Sequence, residues 1–201
     1  MRYIIEQGQN KRVFVLLHGT GGDARNLFGL ASYMDPDATR IGMEGEVVEH
    51  GMRRFFERNP DGSFVEESLL QATDDLHESI GRALEEVGAK PEQVVLAGYS
   101  NGANIALSLL KSYGTNYAGA LLFHPSVTRP GEAYQAHPNL KLLVTSGKGD
   151  PYITAEAFDQ VLAEMKSASL DVEAFVHEQG HSLIEPELQA AQALLARMDE
   201  G

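Results

Sequence analysis

A chain of 201 residues, 43% hydrophobic and 22% charged, is long enough to bury one sizeable core and has an ordinary globular composition, so we expect a single domain over residues 1–201. A formal charge of −13 argues against nucleic acid and anionic membrane surfaces as partners, since lysine and arginine supply the attraction that both require. With no cysteine, disulfides, thiolate metal sites and a cysteine nucleophile are excluded, and covalent catalysis would need another side chain.

The stretch 1–7 has no apolar signal-like core, and no later apolar run approaches the roughly 18 residues of a membrane span, so a soluble, cytoplasmic protein without membrane insertion is expected. Residues 2–6 read as a short edge strand. Residues 13–17 form the first firm strand, whose unbroken apolar character suits burial on both faces of a parallel sheet. It runs into His18-Gly19-Thr20-Gly21-Gly22-Asp23, after which 26–33 reads as a helix and 38–43 as a second strand. Gly45, Gly51, Pro60 and Gly62 break any period across 44–65, and a structureless stretch of that length in a compact domain points to function or to an unrecognised element. From 65 to 87, Leu69, Leu70, Leu76, Ile80, Leu84 and Val87 recur at helical spacing with acids opposite, and Gly88 and Pro91 end the helix. Further strands are expected at 94–97, 117–123, 140–146 and 172–176, with helices at 103–110, 155–165 and 183–198. Such alternation predicts an α/β fold, with a mostly parallel central sheet and helices on both faces.

In sheets of this kind, ligands bind beyond the carboxyl ends of the strands. Gly98-Tyr99-Ser100-Asn101-Gly102 lies between the strand at 94–97 and a helix, so its glycines let the chain turn sharply and set the serine at the head of that helix. Asp150 follows the strand at 140–146 through Gly147-Lys148-Gly149, and His181 follows the strand at 172–176 through Glu178-Gln179-Gly180. These types belong together chemically. A serine hydroxyl is a poor nucleophile until an imidazole takes its proton, and the imidazole needs a carboxylate to hold its tautomer. The oxyanion of an acyl-transfer intermediate needs donors as well, for which the backbone N–H groups of Thr20 and Asn101 are candidates.

Together, His18 to Asp23, Gly98 to Asn104, Gly147-Lys148-Gly149-Asp150-Pro151 and Gly180-His181 resemble the phospholipase/carboxylesterase family, in particular its compact bacterial carboxylesterase branch, relatives of the acyl-protein thioesterases. The resemblance covers most of the chain. It implies an α/β-hydrolase fold without a cap domain and hydrolysis of short acyl esters, with Ser100, Asp150 and His181 at the triad positions and Thr20 and Asn101 at the oxyanion positions. It implies a small-molecule ester as substrate, no metal or organic cofactor, and leaves room for a homodimer. The chain departs from that branch at Arg40-Ile41-Gly42-Met43-Glu44-Gly45, which leaves the acyl-pocket shape open. Only 126–139 could supply a cap, and its prolines and few apolar residues do not suit a helical lid.

Met52, Phe55, Phe56 and His124 are candidate pocket residues. Phe55 and Phe56 either roof the acyl group or pack the long loop onto the domain, and His124 either lines the site or forms a turn with Pro125. His18 is expected to orient the glycine loop, while His50, His77, His137 and His177 are expected to be solvated. Asp159 and Asp171 are rival acids, one within a helix and the other ahead of its strand. Two other classes of function are open: Gly19 to Ala24 fits a G-x-G-x-x-A dinucleotide fingerprint, with Glu44 as a loose candidate for the ribose acid, and a catalytically silent hydrolase-like binding module would share the fold. Within the ester reading, a thioesterase or lysophospholipase-type acyl hydrolase is the alternative.

Overall fold

Strands whose every side chain is apolar must be covered on both faces, and the chain meets this demand with two helical layers. In the computed structural model, which describes residues 1–201, the strands are β1 (Tyr3–Glu6), β2 (Val13–Leu17), β3 (Thr39–Met43), β4 (Val47–Glu49), β5 (Met52–Arg54), β6 (Val94–Tyr99), β7 (Gly119–Phe123), β8 (Lys141–Gly147) and β9 (Asp171–His177). The helices are α1 (Phe28–Met34), α2 (Glu66–Val87), α3 (Asn101–Ser112), α4 (Ala155–Ser167) and α5 (Glu185–Glu200). Seven strands form one sheet in the order β1-β3-β2-β6-β7-β8-β9. Only β1 is antiparallel to its neighbour, β3. Alternate residues of each central strand serve opposite cores: Val13, Val15 and Leu17 of β2 belong to the core shared with α2, α3 and α4, whereas Phe14 and Leu16 belong to the core shared with α1 and α5. No helix is long and apolar enough to cross a membrane.

The expected elements are present with small shifts at their ends: α1 begins at Phe28 after a run of turns, and β7 begins at Gly119. The larger difference lies in 44–65. Strands β4 and β5 pair there as an antiparallel hairpin across a two-residue turn, His50-Gly51, in which both residues take positive φ, 51° and 76°. That is the geometry of the tight turn whose twist matches the hairpin's own. A bridge between Arg58 and Phe64 then closes a second small turn. The expectation that His137 and His177 are solvated is also corrected, since both are buried: His137 donates Nε2–H to the Leu110 carbonyl at 2.8 Å, and His177 lies at the inner end of β9. His77 is half-buried and stacked on Tyr113, and only His50, in the hairpin turn, is exposed.

Between β7 and β8, residues 126–139 contain neither helix nor strand, so no cap covers the carboxyl ends of the strands.

Helix α3 approaches β2 closely at Gly102, where a Cβ would run into the backbone of Leu17 and His18, and Gly98 is pressed in turn against Gly102. Gly102→Ala therefore cannot be accommodated without moving α3 away from β2. We expect it to cost about 3 kcal/mol, a drop of about 6–12 °C in melting temperature, while Gly29→Ala in α1, whose Cβ meets nothing within 4 Å, should leave the temperature unchanged or raise it slightly. Equal melting of Gly102→Ala and the unmodified protein would show that the contact is not limiting.

Candidate active site

The turn from β6 into α3 places Ser100 at the helix head with φ 54° and ψ −112°, a conformation that non-glycine residues rarely adopt. It is held by the Ser100 amide, which donates to the Phe123 carbonyl at 2.9 Å, and by the Ser100 carbonyl, which accepts from the Asn104 amide at 2.9 Å. The side chain is thereby set above the sheet's carboxyl edge. The loops after β8 and β9 meet the same point because they are tied to each other: the Lys148 amide donates to the His177 carbonyl at 2.8 Å and the Gly180 amide to the Lys148 carbonyl at 3.1 Å.

These ties bring three distant residues into line. Ser100 Oγ is 2.8 Å from His181 Nε2, and His181 Nδ1 is 2.6 Å from Asp150 Oδ2. A carboxylate only accepts, so Nδ1 carries the imidazole proton and Nε2 is free to accept from the serine hydroxyl. The other Asp150 oxygen accepts from the Tyr152 and Ile153 amides at 2.7 and 3.1 Å, and its side chain is fully buried, whereas that of His181 is 18% exposed. Tyr99 donates its hydroxyl to the His181 carbonyl at 2.6 Å, and the exposed Tyr152 ring stands 5.1 Å from the His181 ring. Burial, with the charges of Asp150 and Glu187, raises the Tyr99 phenol above its ordinary pKa, so it stays a donor.

The glycine-rich loop after β2 is fixed from beneath. His18 donates Nδ1–H to the Gly19 carbonyl at 2.7 Å and accepts the Gly45 amide on Nε2 at 3.0 Å, and burial lowers its pKa, which keeps it neutral. It orients the loop, as the sequence suggested. Glu44 Oε2 accepts from the Ala24 amide at 3.0 Å and Oε1 from Arg2 Nη1 at 3.1 Å. Glu44 is buried and engaged with the loop, so no acid is offered to a ribose, and turns separate the loop from α1 where a dinucleotide fold would open a helix directly.

The hairpin joins both candidate oxyanion residues. Arg54 Nη1 donates to Thr20 Oγ1 at 2.7 Å, the Gly21 amide donates to the Arg53 carbonyl at 2.9 Å, and the Phe55 amide donates to Asn101 Oδ1 at 2.8 Å. The Thr20 amide is paired with no backbone carbonyl, and the Asn101 amide, first in α3, has no acceptor in a preceding helical turn. Burial, with the nearby Arg58, pulls the Arg54 guanidinium down to about 10, so it remains a cation at neutral pH. Sequence reasoning missed Arg54, because one arginine in an aperiodic stretch carries no signal of what it reaches.

The four pocket candidates separate. Met52 is 44% exposed beside Gly21 and faces the open side of the loop. Phe55 and Phe56 are buried, the first stacked on His18 and the second edge-on to Phe64, so they pack the loop onto the domain and do not roof an open site. His124 is also fully buried, beneath the Ser100–His181–Asp150 line, and does not line an open surface. The rival acids stand elsewhere: Asp171 pairs with Lys141, and Asp159 lies on the exposed face of α4.

Beside His124 lies a buried group that the sequence did not reveal. Glu187, in the first turn of α5, accepts from Thr145 Oγ1 and His124 Nε2 at 2.6 Å each and from the Ile184 amide at 2.8 Å, while His177 Nε2 stands 3.2 Å from its Oε2 and 3.4 Å from His124 Nε2. Burial raises its pKa, but the bonds from His124, Thr145 and Ile184 outweigh burial and hold it below the usual carboxylate range. His124, His177 and Glu187 have the residue types of a metal site. However, the Gln179 amide donates to His177 Nδ1 at 2.9 Å, so His177 Nε2 carries the ring proton and offers a metal no lone pair.

Comparison with known proteins identifies the family. The family model described as phospholipase/carboxylesterase matches residues 2–198. A Bacillus subtilis protein described as a hydrolase, MhqD, is 37% identical over 191 residues, 95% of this chain and 96% of its own length. A Bacillus cereus carboxylesterase structure superposes with a TM-score of 0.94 at 33% identity over 98% of this chain and 94% of that one. A Mesorhizobium loti carboxylesterase does so with a TM-score of 0.87 at 25% identity over 94% and 90%. The sheet, its helices and these relatives together make the chain an ester hydrolase with the α/β-hydrolase fold, a member of the phospholipase/carboxylesterase family.

Proposed function

We propose that the chain is a serine carboxylesterase that hydrolyses short-chain acyl esters through an acyl-enzyme on Ser100. The observation that carries this reading is the unbroken hydrogen-bonded line from Ser100 Oγ through His181 to Asp150 at the carboxyl edge of the sheet. His181 Nε2 takes the hydroxyl proton as Oγ attacks the ester carbonyl, and buried Asp150 stabilises the imidazolium that results. The oxyanion that forms is received by the Thr20 and Asn101 amides, whose residues the hairpin holds through Arg54 and the Phe55 amide. His181 then gives its proton to the departing alkoxide oxygen. Water repeats the sequence on the acyl-enzyme, with His181 as base, and releases the carboxylic acid and free Ser100.

Ser100→Ala should cut kcat for p-nitrophenyl acetate by roughly 10³-fold or more while melting like the unmodified protein. Near-normal turnover by the folded variant would remove Ser100 from the mechanism. His181→Ala and Asp150→Asn should each lower kcat strongly, and the double variant should be little worse than the more damaging single, because the three groups act as a unit. Losses that multiply independently would place Asp150 outside it.

Two observations support short acyl chains: no element covers the carboxyl edge between β7 and β8, and Met52 is the pocket candidate that faces outward. Each methylene withdrawn from water contributes about 0.8 kcal/mol, roughly fourfold in kcat/KM, but only while protein covers it. We expect kcat/KM to peak between acetyl and about hexanoyl esters and Met52→Ala to flatten that preference. A steady rise through dodecanoyl, measured below micelle formation, would contradict an open site.

A further inference from the structure

Ser100 is not the only strained residue at this edge. His124 follows β7 as Ser100 follows β6, with Tyr99 and Phe123 paired in register, and it takes φ 57°. Backbone strain of this kind, on the order of 1–3 kcal/mol, persists only where the surroundings enforce it, and it concentrates at functional sites. The ring that it positions is fully buried and lies edge-on to the His181 ring at 5.4 Å, with Tyr99 and His177 packed against it at 5.9 and 5.2 Å. Its Nε2 is 2.6 Å from Glu187 Oε1. Its Nδ1 is buried, has no hydrogen-bond partner, and stands 3.8 Å from Asp150 Oδ2, the same oxygen that receives His181. Thr145 and the Ile184 amide also hold the Glu187 carboxylate, so His124 has a rigid anchor.

We propose that His124, doubly protonated between two carboxylates, gives its Nε2–H to Glu187 and aims its Nδ1–H at Asp150, a positioning residue that keeps the Asp150 carboxylate aligned with His181 while the serine proton moves. The proposal rests on the serine-hydrolase reading above. A bare Nδ1 at this position would set a lone pair against a buried carboxylate oxygen with no compensating donor, which burial makes costly. At 3.8 Å the contact is longer than a hydrogen bond. Contacts that are long in a resting site can tighten as charge develops, and a small misalignment of reacting groups can cost about 100-fold in rate. His124 touches no substrate atom in this scheme and acts through Asp150.

Two substitutions separate this role from a purely structural one. In His124→Asn the amide nitrogen falls near the Nδ1 position and can face Asp150, whereas in His124→Gln it falls near Nε2 and keeps the bond to Glu187. Positioning predicts that His124→Gln melts closer to the unmodified protein yet loses about 10- to 100-fold in kcat for p-nitrophenyl acetate, with KM changed less than about twofold, while His124→Asn melts lower and keeps more kcat. A kcat order that follows the melting order, or full kcat in His124→Gln, overturns the proposal. With Ser100→Ala inactive in the same assay, that result leaves the serine mechanism standing; an active Ser100→Ala overturns both. Should neither His124 variant fold, the ¹⁵N imidazole spectrum of the unmodified protein decides: a proton on His124 Nδ1 supports positioning and a bare Nδ1 overturns it.

Discussion

Helix α3 lies against β2 without space for a methyl group at Gly102, because the Leu17 carbonyl occupies the place that a side chain would take. That proximity forces the chain leaving β6 to turn within one residue, and Ser100 takes the strained conformation as a consequence. The turn sets both the height of the hydroxyl above the sheet and the direction of the first free amides of α3. Had the helix stood farther away, His181 could not meet the serine at hydrogen-bonding distance.

Around that turn the remaining loops are braced against each other rather than merely adjacent. The loops after β8 and β9 exchange backbone hydrogen bonds, which carries Asp150 and His181 together as one unit. The β4–β5 hairpin reaches the site from the other side, bonding to the Thr20 hydroxyl, the Gly21 amide and the Asn101 side chain at once. The proposed oxyanion site of backbone amides would be only as precise as the backbone that carries them, and this bracing would supply the electrostatic preorganisation such chemistry needs. Beneath it, His124 and Glu187 extend the polar line inward, into a region where unpaired groups are expensive and each bond therefore constrains its partner.

The α/β alternation and the Ser, Asp and His at three strand exits were legible because each rests on a local signal: an apolar run, a helical period, or a glycine turn beside a reactive side chain. The hairpin was not, since its strands have three residues each and its turn is His50-Gly51 in place of the usual Asn-Gly. Phe55 and Phe56 carried no sign of which side would face inward, and the fold turned both into the core. Nothing in the sequence singled out Glu187, and His177 was expected to be solvated. Their burial is decided by which segments stack on β7 and β8, a tertiary fact that composition and period do not encode.

All of the chemistry is assigned to one oxygen atom, and covalent labelling reads it directly. A fluorophosphonate incubated with the protein should add one phosphonyl group per chain, abolish ester turnover in proportion, and be found by peptide mapping on Ser100. Modification at another residue, or continued turnover by fully labelled Ser100, would contradict the serine mechanism.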